Sequence, residues 1–236
     1  MIIGRPHIHY RSIGSTNERA RQAAADGAPG GTLVTAAEQT AGRGRQGRPW
    51  STPAGSAIAW SVLIRQQIEL PGTLPLKIGV GVCDAVEALG ANGVQMKWPN
   101  DIWIGGRKCA GILVEARPRE GWAVAGVGLN LSIADDEFPG ELRGRATSLG
   151  GGVSFGEGVA ALNDHVGRRL EAPVEETLAL FAERDALKGR QVRWDEGEGT
   201  AAGIDRQGNL LVESSAGCLA SLNAGEVHLS LPVEDQ

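Results

Sequence analysis

Cysteine is scarce here and wrongly spaced for most cysteine chemistry. Cys83, Cys109 and Cys218 are the only three in 236 residues, and no two form a C-x-x-C pair. The histidines are His7, His9, His165 and His228, with no H-E-x-x-H spacing. A structural zinc site and a disulfide framework are thereby disfavoured, and a reducing cytosol is the natural setting. The opening Met1-Ile2-Ile3-Gly4-Arg5-Pro6 lacks an apolar stretch of signal-peptide length. No later run reaches the roughly 18 apolar residues of a membrane span. The expectation is a soluble, cytoplasmic protein with no membrane partner. Positive charge is short as well: 23 Lys and Arg stand against 28 Asp and Glu, a net charge of −5. Residues 186–236 carry 4 basic and 8 acidic groups, leaving 19 and 20 in residues 1–185. With no basic surplus to neutralise a run of phosphates, bulk nucleic-acid binding is disfavoured. Internal repeats and low-complexity tracts are also missing.

Hydrophobic residues at 42% and charged residues at 22% are close to globular averages and sufficient for a packed core. The 35 glycines favour tight turns and backbone that approaches a ligand closely. The pattern predicts a first strand over 7–13, then a helix over 16–25 closed by Asp26-Gly27. Strands follow at 32–37 and 56–64, and a helix at 74–89 has apolar residues at helical spacing. Short strands are expected at 94–98, 102–104, 108–116 and 122–131, with turns at Gly105-Gly106 and Glu120-Gly121. Two helices, 155–171 and 174–187, come next. Beyond Gly189 five short strand-like pieces separated by glycine turns suit a small antiparallel barrel. The fold class is therefore α+β, a mixed sheet with flanking helices plus a small C-terminal barrel, divided near residue 187.

Residues 38–55 break all periodicity, and a loop longer than about 12 residues inside a compact domain is usually functional. Its Gly42-x-Gly44-x-x-Gly47 satisfies the dinucleotide fingerprint, but that fingerprint needs a helix opening at its last glycine. Pro49 and Pro53 forbid one there. What remains is a glycine loop with Arg43, Arg45 and Arg48, opposed within residues 38–50 only by Glu38. Arginine's planar, permanently charged fork fits phosphate or carboxylate bidentately. A solvated basic loop is the alternative. Ordering such a loop costs about 1–2 kcal/mol per residue fixed. It is therefore expected to be mobile without ligand and to close over an anionic one.

Three further clusters carry polar groups in unusual places. Lys97-Trp98-Pro99-Asn100-Asp101 reads as a capped turn or a polar site. It is followed by Lys108, a cation at the head of an otherwise apolar strand, suited to stabilising charge that develops at phosphorus or a carboxylate. Gly126-Val127-Gly128-Leu129-Asn130 spaces glycines by two, leaving one strand face bare for a flat ligand or for close packing. Ser15-Thr16-Asn17 is an N-cap with polar groups to spare. Gly152-Val153-Ser154-Phe155-Gly156 matches a serine-nucleophile pattern without the strand that pattern needs, and Ser154 with Glu157 reads as a capping box.

Taken in order, these clusters resemble the biotin–protein ligases over essentially the whole chain. The resemblance rests on Ser15-Thr16-Asn17, on Gln39 with the 42–48 loop and Trp50, and on Lys97–Asp101. Arg107–Gly111, Gly126–Asn130 and Gly203-Ile204-Asp205-Arg206-Gln207-Gly208 complete it. It implies a class II synthetase-like sheet, residues 1–187, and an SH3-like C-terminal barrel, residues 188–236. It also implies a two-step reaction: biotin and ATP give biotinyl-5′-AMP and pyrophosphate, then one lysine of a biotin carboxyl carrier protein is acylated. On this resemblance Ser15, Thr16, Asn17, Gln39, Gly42, Gly44, Gly111 and Gly126 bind biotin together with Arg43, Arg45 and Lys108. Arg43, Arg45 and Lys108 are the catalytic charges. Arg48, Trp50, Lys97, Asn100, Asp101 and Asn130 join them around ATP and the adenylate, with Mg²⁺ as cofactor and Asn130 as its ligand. Asp101 is conceivable as the base for the acceptor lysine. Ser15 stands too near the start for a preceding DNA-binding module, so the short, non-repressor form is implied, with no DNA partner and with a homodimer through the sheet edge left open. A lipoate–protein ligase of related fold, a non-enzymatic nucleotide-binding module and an inactive effector are the competing readings.

Overall fold

Side chains on a strand alternate between faces, and here that alternation decides which residues meet the main core and which meet the site. The computed structural model describes residues 1–50, 54–65, 71–215, 217–223 and 227–229; Pro53, used above against a dinucleotide helix, lies outside them. In chain order the elements are β1 (His7–Tyr10), α1 (Thr16–Ala25), β2 (Leu33–Ala36), β3 (Ala57–Ile64), α2 (Leu74–Ala88), β4 (Val94–Lys97), β5 (Asp101–Ile104), β6 (Arg107–Arg117) and β7 (Trp122–Asn130). Then come α3 (Phe155–Glu171), α4 (Val174–Arg184), β8 (Gln191–Trp194), β9 (Gly197–Ile204), β10 (Leu210–Glu213), β11 (Leu219–Leu222) and β12 (His228–Leu229).

The first seven strands form one sheet in the order β1-β2-β3-β7-β6-β5-β4. Only β1 and β2 run parallel, so the sheet is mixed, as the sequence leads one to expect. Leu33, Trp60, Val62, Ile64, Ala110, Ile112, Ala125, Val127 and Leu129 point into the main core with α2 and α3. The opposite face is thinner. There Val34, Leu63 and Val124 meet Ala20 and Ala24 of α1 and Trp122. By the same alternation Ser61, Gly111, Glu115, Gly126 and Gly128 lie on the α1 face. At the core side α2 and α3 approach closely, because a Cβ on Gly81 would stand 2.8 Å from the Val166 backbone.

Two local expectations resolve clearly. Ser154 Oγ accepts from the Glu157 N–H while the Glu157 carboxylate accepts from the Ser154 N–H. This serine is a helix cap and not a nucleophile. Helix α4 stops at Arg184, three residues early. The Asp185 carboxylate accepts from the Leu187 N–H at 2.8 Å and the Ala186 N–H reaches Met96 O at 3.0 Å, so the chain leaves the helix to pair beside β4.

The last five strands form an antiparallel sheet in the order β11-β10-β9-β8-β12. Among the described residues β11 and β12 each have one neighbour, so the barrel expected from the sequence is an open sheet here. The two end strands, four and two residues long, offer few ladder groups with which to close it. Val192, Ala201, Leu210, Val212 and Val227 continue the core of the larger sheet. The turn at Gly208 docks by a hydrogen bond from buried Trp98 Nε1 to Gly208 O at 2.9 Å. Trp98→Phe keeps an aromatic ring but removes that donor and part of the buried volume, leaving a buried carbonyl unpaired at a cost of about 1–3 kcal/mol before any cavity cost. The expected result is a lower urea midpoint; an unchanged midpoint would show that the contact is replaceable. No helix among the described residues is long and apolar enough to cross a membrane.

Candidate functional site

Two rows of small residues run across the α1 face of the sheet. Register places Ala59 opposite Gly128, Gly128 opposite Gly111, and Gly111 opposite Asp101. One step along, Ser61 pairs with Gly126 and Gly126 with Leu113. Of these residues Asp101, Gly111, Leu113, Gly126 and Gly128 line a cavity of about 400 Å³, within the usual size of a small-molecule site. The bare glycine face is filled by protein side chains. A Cβ on Gly128 would meet the Trp50 indole at 2.2 Å, one on Gly111 the same ring at 3.0 Å, and one on Gly126 the Asn17 Oδ1 at 2.1 Å.

The glycine–arginine loop supplies Trp50 and the roof. It is folded down as a narrow hairpin, with Gly44 N–H donating to Arg48 O at 2.7 Å and Trp50 N–H to Gly42 O at 2.9 Å. Gln46 at the tip adopts φ 57°, a left-handed conformation that is costly away from glycine. Gly42 is the one expected site residue that does not line the cavity. Its Cα packs on Trp50 O and Gln39 Nε2, both within 2.8 Å of any Cβ placed there. The other expected residues, from Ser15, Thr16 and Asn17 through Gln39, Arg43, Gly44, Arg45, Arg48, Trp50, Lys97, Asn100, Asp101, Lys108, Gly111 and Gly126 to Asn130, all line it.

One end of the cavity is neutral and hydrogen-bonding. Ser15 caps α1, its hydroxyl accepting from Glu18 N–H at 3.4 Å. Gln39 Oε1 accepts from Thr16 N–H at 2.8 Å and lies 3.0 Å from Thr16 Oγ1, which satisfies another free N–H of the helix start. The other end is cationic. Among the described residues Arg43, Arg45, Arg48, Lys97, Lys108 and Arg145 line it against only Asp101 and Glu137. Arg45 Nη1 stands 3.4 Å from Asn100 Oδ1, and Lys97 lies over Trp103 at 5.4 Å.

Lys108 owes its position to a β-bulge. Register slips between Ile102 and Trp103, so that Trp103 faces Lys108 while Ile102 faces Ala110. Bulges re-aim side chains in this way. Lys108 Nζ then pairs with Asp101 Oδ1 at 2.6 Å and sits 5.5 Å from the centre of the Trp50 ring. The ion pair commits Asp101 to Lys108 in this state, which argues against a free general base. Neighbouring Cys109 faces the core, and burial pushes its thiol up to about 12, so it is unreactive.

A magnesium ion fits only as a companion of phosphates. Among the described residues no group of three or more His, Cys, Asp or Glu could hold a metal ion, so a cage built by protein alone is not available. Asn130, buried, donates its Nδ2 to Thr147 O at 2.9 Å. That bond fixes the amide and leaves Oδ1 as the acceptor. One such oxygen suits Mg²⁺ that brings phosphate oxygens and waters of its own.

Several contributors escaped the sequence reading. Ile133, Phe138 and Ala146 pack with Ala57 and wall the cationic end, where Arg145 also lies. Val227, immediately before β12, reaches the same cavity. Residues 132–153 are polar and glycine-rich, with Ile133, Phe138, Leu142, Leu149 and Val153 as scattered large apolar residues, a pattern that does not single out a cavity wall.

The family model for the biotin/lipoate A/B protein ligase family matches residues 10–132, and that for the biotin protein ligase C-terminal domain matches residues 189–230. The bifunctional ligase/repressor BirA of Bacillus spizizenii is 36% identical over 235 residues, covering 92% of this chain and 72% of that protein. The biotin–[acetyl-CoA-carboxylase] ligase of Mycobacterium tuberculosis is 36% identical over 240 residues, covering 91% of this chain and 85% of that one. Among solved structures, the biotin protein ligase of Aquifex aeolicus in complex with biotin and ATP superposes with a TM-score of 0.82 at 27% identity, covering 95% of this chain and 98% of that one. Sheet order, site and both matched segments lead to one conclusion: the chain belongs to the biotin/lipoate A/B protein ligase family.

Proposed function

We propose that this chain is an ATP-dependent biotin–protein ligase. The observation that carries the reading is the polarity of the cavity, a neutral hydrogen-bonding end at Thr16, Asn17 and Gln39 and a cationic end at Arg43, Arg45 and Lys108. Biotin has a neutral ureido ring at one end and a carboxylate at the other, so it spans such a cavity in one orientation. Its carboxylate oxygen attacks the α-phosphorus of ATP, the bond to the β-phosphate oxygen breaks, and pyrophosphate leaves. A carrier lysine amine then attacks the acyl carbon of biotinyl-5′-AMP, releasing AMP.

In this reading Ser15, Thr16, Asn17 and Gln39 hold the ring, with Gly111 and Gly126 close beneath it. Arg43, Arg45 and Lys108 hold the carboxylate and α-phosphate, where preorganised charge lowers the barrier most. Trp50 covers the mixed anhydride and excludes water until the acceptor arrives. Arg48, Lys97, Asn100 and Asp101 border the nucleotide, and Mg²⁺ arrives with ATP and takes Asn130 Oδ1. Residues 1–187 are the catalytic unit and 188–236 the appended sheet. The partner is a biotin carrier domain, in the cytoplasm. DNA is not a partner on the grounds of charge, and a homodimer would use the free edge of β1.

The test is mass spectrometry of a biotin carrier domain incubated with this chain, biotin and MgATP. One biotinyl group on the acceptor lysine is expected. An unmodified acceptor that an authentic biotin ligase does modify would reject the reading. Pyrophosphate exchange supported by lipoate and not by biotin would instead select the lipoate ligase.

A further inference from the structure

A chain of polar groups runs from a partly exposed ion pair to the neutral end of the cavity. Arg21 Nη1 donates to Glu115 Oε1 at 2.8 Å, and Asn17 Nδ2 donates to Glu115 Oε2 at 2.8 Å and to Leu113 O at 3.3 Å. Ser61 Oγ lies 2.7 Å from Asn17 Oδ1 and 2.7 Å from Thr16 Oγ1. Thr16 Oγ1 lies 3.0 Å from Gln39 Oε1. Ser61 is wholly buried and Thr16 and Asn17 nearly so.

Counting protons fixes the direction of this chain. The Glu115 carboxylate and Leu113 carbonyl accept only, so the Asn17 amide must turn its NH₂ toward them and its oxygen toward Ser61. Gln39 Oε1 is likewise fixed, because it receives the Thr16 N–H. Two hydroxyl protons then serve three oxygen–oxygen contacts. Asn17 Oδ1, buried, takes the Ser61 proton, since burying it unpaired is expensive. Ser61 takes the Thr16 proton across the 2.7 Å contact. The Thr16 hydroxyl is also within hydrogen-bond reach of Gln39 Oε1, but at 3.0 Å that contact is the longest of the three; with the proton on the shorter one, Thr16 Oγ1 keeps accepting lone pairs only.

We propose that Glu115, which does not line the cavity, is a positioning residue for biotin selection: it orients Asn17 and Ser61 so that Thr16 Oγ1 presents an acceptor to a ureido N–H. Arg21 holds the second carboxylate oxygen and keeps Glu115 in place. A site prepared to accept a hydrogen bond strongly rejects an analogue that lacks the donor. The dithiolane ring of lipoate has no N–H, so the same device separates the two acids of this family. The inference rests on the biotin reading above.

The experiment is isothermal titration of the full chain with biotin, with biotin methylated at either ureido nitrogen, and with ATP. Glu115→Gln is the decisive variant. Its single acceptor oxygen cannot serve both Asn17 and Arg21, so Asn17 is free to turn over and reverse the proton order. The expected result is a loss of biotin affinity of about tenfold, a narrowed ratio between biotin and one methylated analogue, and unchanged ATP affinity. Ser61→Ala should do the same, and the double variant should lose no more than either single one, the mark of a shared network. A second, independent break in the chain keeps the proposal testable if one variant fails to fold. Unchanged biotin affinity, equal losses for biotin and both analogues, or additive losses would overturn it. Failure of the unmodified chain to bind biotin would overturn the functional reading as well, so the two failures are distinguishable.

Discussion

Lys108→Met is expected to slow biotin-dependent ATP–pyrophosphate exchange by about 10²–10³-fold, the scale for removing one preorganised electrostatic donor. Methionine keeps the stem that packs at Gly111, where Lys108 Cε would lie 3.2 Å from an added Cβ, so the cavity keeps its shape and only the charge goes. The magnitude is consistent with simple electrostatics. Unit charges about 4 Å apart interact by about 4 kcal/mol at an effective dielectric constant near 20, less where solvent screens them, and the Lys108 side chain is 32% exposed. Asp101 complicates the variant, because it loses its partner at 2.6 Å. Asp101→Asn removes that liability while leaving Lys108 charged. If Lys108 acts on the ligand, Asp101→Asn should retain far more exchange activity than Lys108→Met. Equal losses in the two variants would assign Lys108 to holding Asp101, and undiminished exchange in Lys108→Met would remove it from the chemistry.

What the sequence disclosed about this site follows from which interactions are local. The helix start at Ser15, the capping box at Ser154 and the strand with glycines at 126 and 128 are written in neighbouring residues, and the structure places them as expected. Lys108 was visible because a cation heads an apolar strand. Its aim was not, since the bulge depends on a register against β5 that only pairing defines. The glycine pair shows the same division. Period two marks a bare face, but whether ligand or protein covers it depends on a loop and a helix distant in sequence, and here Trp50 and Asn17 do so. Ser61 and Glu115 carried no signal at all. A serine within a buried strand and a glutamate near a strand end are ordinary residues until α1 is laid across them. The C-terminal pieces were legible as strands through their glycine turns, whereas closure depends on pairing between the ends and is not made among the described residues.

Gly126→Ala and Gly128→Ala separate the two halves of the site, although the substitutions are identical and two residues apart on one strand. At Gly126 the new methyl would lie 2.1 Å from Asn17 Oδ1 and 2.8 Å from its Cγ. Asn17 sits on a helix and is held by Glu115, Leu113 and Ser61, so it yields only by breaking those bonds. Overpacking of this kind costs about 1–3 kcal/mol, and it falls on the end assigned to biotin in the proposed function. Biotin affinity should therefore drop by about 10–100-fold, with ATP affinity retained. At Gly128 the methyl would lie 2.2 Å from the Trp50 ring. Trp50 is carried by the loop and not by a helix or sheet strand, so the strain is expected to be relieved by raising the roof and not by disturbing the ring pocket. Biotin binding should survive, while biotinyl-AMP, no longer shielded from water, should hydrolyse. The measurable sign is AMP released in excess of biotinylated acceptor. Reduced biotin affinity in Gly128→Ala with AMP and product still matched would show that Trp50 belongs to the biotin pocket instead of the cover over the adenylate.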